Sequence, residues 1–308
     1  MKKTVLVIAG ATGSGKTSAA IALAQKFGSE IVSCDSVAIY RGFDIGSAKP
    51  TVAEWQGVPH HMLDIADARE HIITAAEFKA LARAAIADIH ARDQLPILAG
   101  GSGLYIDAVL SDLDFAVPSD AETRKQILLE QEANPDAIWA KLQEADPVSA
   151  ARLHPNDRKR IARALEVYQI SGKPFSEWSA DFAGTQTNSA HYRAIKLGLR
   201  PERAQLYAQI NARAAQMLEN GLLAETQGLL GSGHADTLPP MQAIGYAQCV
   251  QALRGQLSMP ELLPEIQKAT RHYAKRQETW FKRDAEIHWI APSETEEYIN
   301  TCITLKNS

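Results

Sequence analysis

Cysteine is scarce: Cys34, Cys249 and Cys302 are the only three in 308 residues. They are odd in number and far apart, with no pair at metal-ligand or redox spacing. This excludes a disulfide framework and a cysteine-built zinc site and points to a reducing cytoplasm. No apolar run approaches the roughly twenty residues that cross a bilayer, so no membrane association is expected. Lys2-Lys3 before the apolar Thr4–Ala9 has the start of a secretion signal, but the apolar part is short and runs into glycine, which makes it a first strand. There is no internal repeat and no low-complexity tract. At 45% hydrophobic and 22% charged, the chain is not disordered, and its length favours two folded units.

The net charge of −4 is small but unevenly placed. Residues 150–215 hold eleven Lys/Arg against five Asp/Glu, and residues 268–283 hold six against one. On an otherwise acidic body, such segments are either polyanion-facing surface or solvated helix faces.

Three apolar, largely β-branched runs, Thr4–Ala9, Glu30–Cys34 and Leu95–Ala99, each end in glycine, serine or aspartate. Helical patterns at Lys16–Phe27 and Ala75–Ala91 alternate with them, which implies a three-layer α/β domain, and the glycine-rich Gly10–Thr17 turn between the first strand and helix fits the P-loop pattern, so the expected fold class is α/β: a P-loop NTPase-like parallel sheet flanked by helices. Ile195–Leu199 and Ile287–Ile290 are candidate further strands. Pro201–Asn220 and Pro260–Asp284 are expected as long helices. From Ser119 to about Gly172, helices separated by Asn134-Pro135, Asp146-Pro147 and His154-Pro155 read as an all-helical insertion domain. Ser179–Ala190 reads as a polar loop returning the chain to the core. The expected division is 1–115 for the first part of the core, 116–192 for the insertion and 193–308 for the second part.

Gly10-Ala11-Thr12-Gly13-Ser14-Gly15-Lys16-Thr17 fits the P-loop pattern directly between a strand and a helix. Loop amides and the positive end of the helix dipole bind a di- or triphosphate, Lys16 neutralises its oxygens and Thr17 holds Mg²⁺. The next acid, Asp35, ends a strand. In an ATPase it would serve as a Walker B residue; as an alternative it does other chemistry beside the phosphates. Gly100-Gly-Ser102-Gly103 reaches the same sheet edge with a hydroxyl and an approachable backbone. His60-His61 with Asp64 is not a metal site, because adjacent histidines on an extended segment face opposite ways. The isolated tryptophans, Trp280 among them, read as packing residues.

These motifs, together with Asp44-Ile-Gly-Ser-Ala-Lys49-Pro50, Pro59-His-His-Met-Leu-Asp64, Asp157-Arg-Lys-Arg-Ile-Ala-Arg163, Gln242-Ala-Ile-Gly-Tyr246 and Thr270-Arg-His-Tyr-Ala-Lys275-Arg276-Gln277, resemble the tRNA dimethylallyltransferases over nearly the whole chain. Ser102 stands where threonine is common, and Gln242 where some members carry arginine. The resemblance implies transfer of a dimethylallyl group from its diphosphate to N6 of an adenosine beside the anticodon, with Mg²⁺ as cofactor. Adenine's amino group is a poor nucleophile, so a positioned base is needed, and Asp35 fits that part with Lys16 and Ser102 as further catalytic groups. Gly10–Thr17 and Arg213 would bind the diphosphate.

The tRNA anticodon stem-loop would meet Asp35, Ser36, Val37 and Ala38, then Ser102 and Arg124. On the insertion it would meet Lys159, Arg160, Ile161, Ala162 and Arg163. Beyond it, the contacts would be Gln242, Gly245 and Tyr246, and then Arg271 and Lys275 on a stripe with Lys268 and Lys282. No obligate protein partner is implied, and a monomer is expected. Two rivals remain: an adenylate isopentenyltransferase acting on a free nucleotide, and a P-loop kinase or NTPase in which Asp35 serves Mg²⁺ alone.

Overall fold

The computed structural model describes residues 2–111, 117–178, 191–295 and 297–298. It divides into two compact units, Met1–Asp112 with Thr187–Ser308, and Leu113–Gln186. The expected polar loop at Ser179–Ala190 lies outside the described residues.

The first unit is built on six strands: β1 (Thr4–Gly10), β2 (Ile31–Cys34), β3 (His60–His61), β4 (Ile97–Gly100), β5 (Arg193–Leu199) and β6 (His288–Ile290). Their order is β3-β2-β4-β1-β5-β6, and every neighbouring pair is parallel. Both faces are buried, as parallel sheets require. Leu6 and Ile8 pack with Ala20, Leu23 and Ala24 of α1 (Lys16–Phe27). Val5, Val7 and Ala9 face the other way, into a cluster with Phe78 and Ile86 of α2 (Ala75–Ala91) and Ile106 of α3 (Gly103–Leu110). The later helices of this unit are α9 (Arg203–Glu219), α10 (Leu222–Gly231), α11 (Tyr246–Leu253) and α12 (Met259–Phe281), numbered after the five of the second unit.

Register places the functional turns side by side. Cys34 is opposite Gly100 in the β2–β4 ladder, so the residues after them, Asp35 and Gly101, leave the sheet at the same edge. There is no room for a side chain at Gly100, where an added Cβ would lie 2.2 Å from the Cys34 carbonyl oxygen. The strand expectations are met within two residues at each end. The two-residue β3 was not anticipated, because so short an edge segment carries no alternation to read. It explains the double histidine: His61 pairs with Glu30 at 2.6 Å, and His60 stacks on Trp55 at 5.0 Å, so each meets a different partner and neither is placed as a metal ligand.

The second unit is all helical over its described residues: α4 (Ala121–Ala133), α5 (Pro135–Ala145), α6 (Pro147–Arg152), α7 (Arg158–Ser171) and α8 (Phe175–Trp178). The Asn-Pro and Asp-Pro pairs are helix starts. Asn134 caps α5 by accepting from the Ala137 amide, and Asp146 caps α6 by accepting from that of Ser149, with proline at the first helical position of each. Ile127, Ile138, Leu142, Ile161 and Leu165 form this unit's own core.

Candidate active site

β1 delivers the chain into the P-loop at Gly10, whose φ of +144° suits glycine alone. The loop ends at Gly15, the N-cap of α1, and Lys16 and Thr17 form that helix's first turn. The Lys16 ammonium donates to the Ala11 carbonyl at 2.6 Å, so it reaches back over the loop. Burial lowers its pKa to about 7, the Arg213 charge adds to this, and the Asp35 carboxylate opposes it. Arg213, from α9, is itself lowered by burial and sustained by Asp35 and then Glu54. Two cations and one carboxylate, from three elements, therefore share one field.

They line a cavity of about 500 Å³ that also admits Thr12, Gly13, Thr17, Ser36, Tyr273 and Arg276. Asp35 is fixed by its own turn, with Oδ1 accepting from the amides of Val37 at 2.8 Å and Ala38 at 3.0 Å. Asp35 lines the cavity with that carboxylate held in place. This alters the parts given to Val37 and Ala38. Their N–H groups already serve Asp35, and Ala38 is buried, so they orient the carboxylate instead of binding RNA through those groups. Ser102 occupies the N-cap position of α3 without a side-chain capping bond and is not part of the cavity wall, and it lies close enough to Tyr273 to lower that hydroxyl's pKa. The Tyr273 hydroxyl is pushed up to about 12 by burial first and the Asp35 charge second.

Several expected tRNA contacts are differently employed. Tyr246 is fully buried; its hydroxyl donates to Glu225 at 2.6 Å and accepts from the Gly46 amide at 3.1 Å. Glu225 also accepts from the Ile45 and Gly46 amides, so Tyr246 braces the segment 44–49 that walls the cavity and offers no surface to RNA. Gly245 precedes it with φ +96° and is buried. Ile161 and Ala162 are also fully buried, inside the helical unit's core, so their side chains cannot touch RNA. Arg124 and Arg163 are both bound to the buried carboxylate of Glu166, at 2.6 and 3.0 Å. Lys159 and Arg160 are exposed, as an RNA-facing pair would be. Gln242 is exposed on the cavity rim and donates to the Asp236 carbonyl at 2.6 Å. Arg271 donates to Asn211 at 2.7 Å, and Lys275 is exposed.

Roles missed by sequence reasoning belong to Lys49, Tyr273 and Gln277. Lys49 joins Asp44 and Asp64 at 2.6 and 2.5 Å and donates to the Tyr40 carbonyl. All three stand in motifs quoted above, but nothing local showed what they would meet. Among the described residues no three His, Cys, Asp or Glu side chains converge as a metal cage. None of their helices is long and apolar enough to cross a membrane.

A strand–P-loop–helix unit in a parallel sheet, with a cavity that also presents a carboxylate and a second cation, places the chain in the P-loop class of α/β proteins. The model of the IPP transferase family matches residues 38–284. A tRNA dimethylallyltransferase of Anaeromyxobacter sp. is 47% identical over 291 residues, 94% of each chain. Another, of Syntrophobacter fumaroxidans, is 43% identical over 292 residues, 94% of this chain and 84% of that one. The crystal structure of a full-length tRNA isopentenylpyrophosphate transferase from Bacillus halodurans is 35% identical. It matches with a TM-score of 0.71 over 99% of this chain and 96% of that one. The chain belongs to the IPP transferase family, that of the tRNA dimethylallyltransferases.

Proposed function

We propose that this protein transfers a dimethylallyl group from dimethylallyl diphosphate to N6 of the adenosine 3′-adjacent to the anticodon, position 37, in tRNAs reading codons that begin with U. The observation that carries the reading is the single cavity onto which the P-loop, Asp35 and Arg213 all open. The P-loop with Lys16 holds the diphosphate, and Arg213 adds a second positive charge. As the allylic C–O bond breaks, the electron pair leaves with diphosphate, whose gathering charge these cations stabilise. The new bond forms from N6 to the allylic carbon, and the N6 proton passes to Asp35, whose orientation the Val37 and Ala38 amides fix. The adenine leaves its stack to reach Asp35. Lys159 and Arg160 meet phosphates of the anticodon stem-loop, a surface that a free-nucleotide enzyme would not need.

Mg²⁺, a hard cation that takes oxygen ligands, would suit the hydroxyl of Thr17 and the diphosphate oxygens in this cavity, with the Asp35 carboxylate in the same lining. When bound, it supplies charge neutralisation on the leaving group. The protein acts in the cytoplasm as a monomer.

The test is nucleoside mass spectrometry of tRNA incubated with protein, Mg²⁺ and dimethylallyl diphosphate, with Asp35→Ala alongside. One dimethylallyl group gained on adenosine and lost in the variant is the expected result. A gain on free AMP only assigns the chain to nucleotides, and ATP hydrolysis without prenyl transfer overturns the reaction.

A further inference from the structure

We infer that Gln277 is a positioning residue that locks the P-loop to the Ser102 turn, bridging the Thr12 amide and the Gly101 carbonyl. Its Oε1 accepts from the Thr12 amide at 2.8 Å, and its Nε2 donates to the Gly101 carbonyl at 2.9 Å. Gln277 lies 265 residues from Thr12 and is buried, so both ends of one amide are used up between two loops on different strands. Only a side chain that accepts at one end and donates at the other satisfies both groups.

The surroundings are shaped for this approach. A Cβ on Gly101 would lie 2.2 Å from Gln277 Nε2, and one on Gly103 would lie 2.2 Å from Trp280 Cδ1. Gln277 and Trp280 share a face of α12 at a spacing of three, and Trp280 is anchored by donating to Asp107 at 3.0 Å. The glycines after β4 thus receive α12. Gly100 and Gly101 line the cavity as well, so the approachable backbone expected there borders both the site and α12. The bridge bears on chemistry because both its ends adjoin functional groups. Thr12 lines the cavity with Lys16, and Gly101 precedes Ser102. The Tyr273 hydroxyl lies beside this bridge: burial raises its pKa, and Gln277 and Ser102 each lower it. Gln277 also lines the cavity wall, but losing the bridge frees the P-loop to shift relative to Asp35 and Ser102 while leaving Lys16, Thr17 and Arg213, the groups assigned to the diphosphate, in the chain.

The inference rests on the reading that the P-loop takes a diphosphate, so binding is measured apart from catalysis. The probe is inorganic diphosphate with Mg²⁺, followed by calorimetry on wild type, Gln277→Leu and Gln277→Glu, each first checked for melting temperature. Gln277→Leu strands the Thr12 amide and the Gly101 carbonyl. It is expected to weaken diphosphate binding on the order of tenfold and lower kcat at least as much, with tRNA affinity unchanged within about twofold.

Gln277→Glu supplies the feature that packing alone would not produce. Ionised, it keeps the acceptor for Thr12 but opposes the Gly101 carbonyl; protonated, it restores both bonds. Its deficit relative to wild type is therefore expected to be large at pH 8 and to shrink toward pH 5.5. Lys16, Asp35, Lys49, His60, Arg213, Tyr273 and Arg276 line the same cavity as residue 277, so a carboxylate there also repels the probe; the Glu profile is therefore read against that of Gln277→Leu, which carries no charge, at each pH. Wild-type diphosphate affinity in both variants, or a Glu deficit that does not change with pH, overturns the inference. Wild-type protein that binds diphosphate with this pattern but prenylates nothing overturns the proposed function alone.

Discussion

Lys16 carries the sharpest conflict between stability and use. Burial, and then the neighbouring Arg213, lower its pKa to about 7 from the 10.5 of an open lysine. Below pH 7 the proton is bound in folded and unfolded chains alike, and the cost of enclosing the charge is fully present. Between pH 7 and 10.5 the unfolded chain binds more protons than the folded one, so this group's share of stability rises with pH. A diphosphate beside Lys16 supplies the missing counter-charge and draws the lysine back to its protonated form. Lys16→Met is therefore expected to raise the melting temperature by a few degrees at pH 6.5, less the lost bond to the Ala11 carbonyl. The gain should narrow by pH 9, while diphosphate affinity falls at least tenfold. Calorimetric melting at both pH values checks this, and an unchanged or lower melting temperature at both would show that the ammonium is not held at a cost.

At the scale of one helix, α7 divides its basic residues between two jobs. Glu166 has no exposed side-chain surface and accepts from Arg124 Nε at 2.8 Å, Arg124 Nη2 at 2.6 Å and the Asp120 amide at 2.7 Å. Arg163 joins it from one turn earlier and also donates to the Val117 carbonyl at 2.8 Å. Burying a carboxylate is costly unless donors surround it, so these contacts tie α7 to α4 and to the segment before α4. Lys159 and Arg160 stand exposed at the start of the same helix, with Arg160 making only a surface pair with Asp157 at 3.3 Å. The expected contrast is clear. Arg160→Ala should lower the magnitude of the salt slope of tRNA binding by about one while leaving stability alone. Arg124→Ala should cost roughly 3 kcal/mol of stability by exposing Glu166 to an incomplete shell, with the slope unchanged. Filter binding across a salt series, paired with urea unfolding, separates the two, and a reduced slope in Arg124→Ala would restore that residue to the RNA surface.

For the whole molecule, what the sequence disclosed is what lies close in the chain. The P-loop was legible because strand, glycines, lysine and helix are contiguous, and the parallel sheet because each apolar run is bounded by turn residues. The helical unit was legible from its proline pairs, which cap helices locally. Residues whose partners lie far off were misjudged or missed. Tyr246 meets Gly46 across 200 positions, Gln277 meets Thr12 across 265, and Arg124 meets Glu166 across 42. A basic residue or a tyrosine in a motif shows its chemistry, and its partner exists only once the chain has folded. The same locality gives the helical unit a core of its own, made of α4 to α7 and containing no residue of the sheet. Leu142 has none of its surface exposed there, so Leu142→Ala is expected to destabilise that core by roughly 2–5 kcal/mol. The cavity's walls belong entirely to the other unit, so diphosphate binding should stay within about twofold of wild type while tRNA affinity falls at least tenfold. Calorimetry with inorganic diphosphate and filter binding with tRNA measure the two on one sample. Parallel losses in both would mean that the two cores do not hold their sites independently.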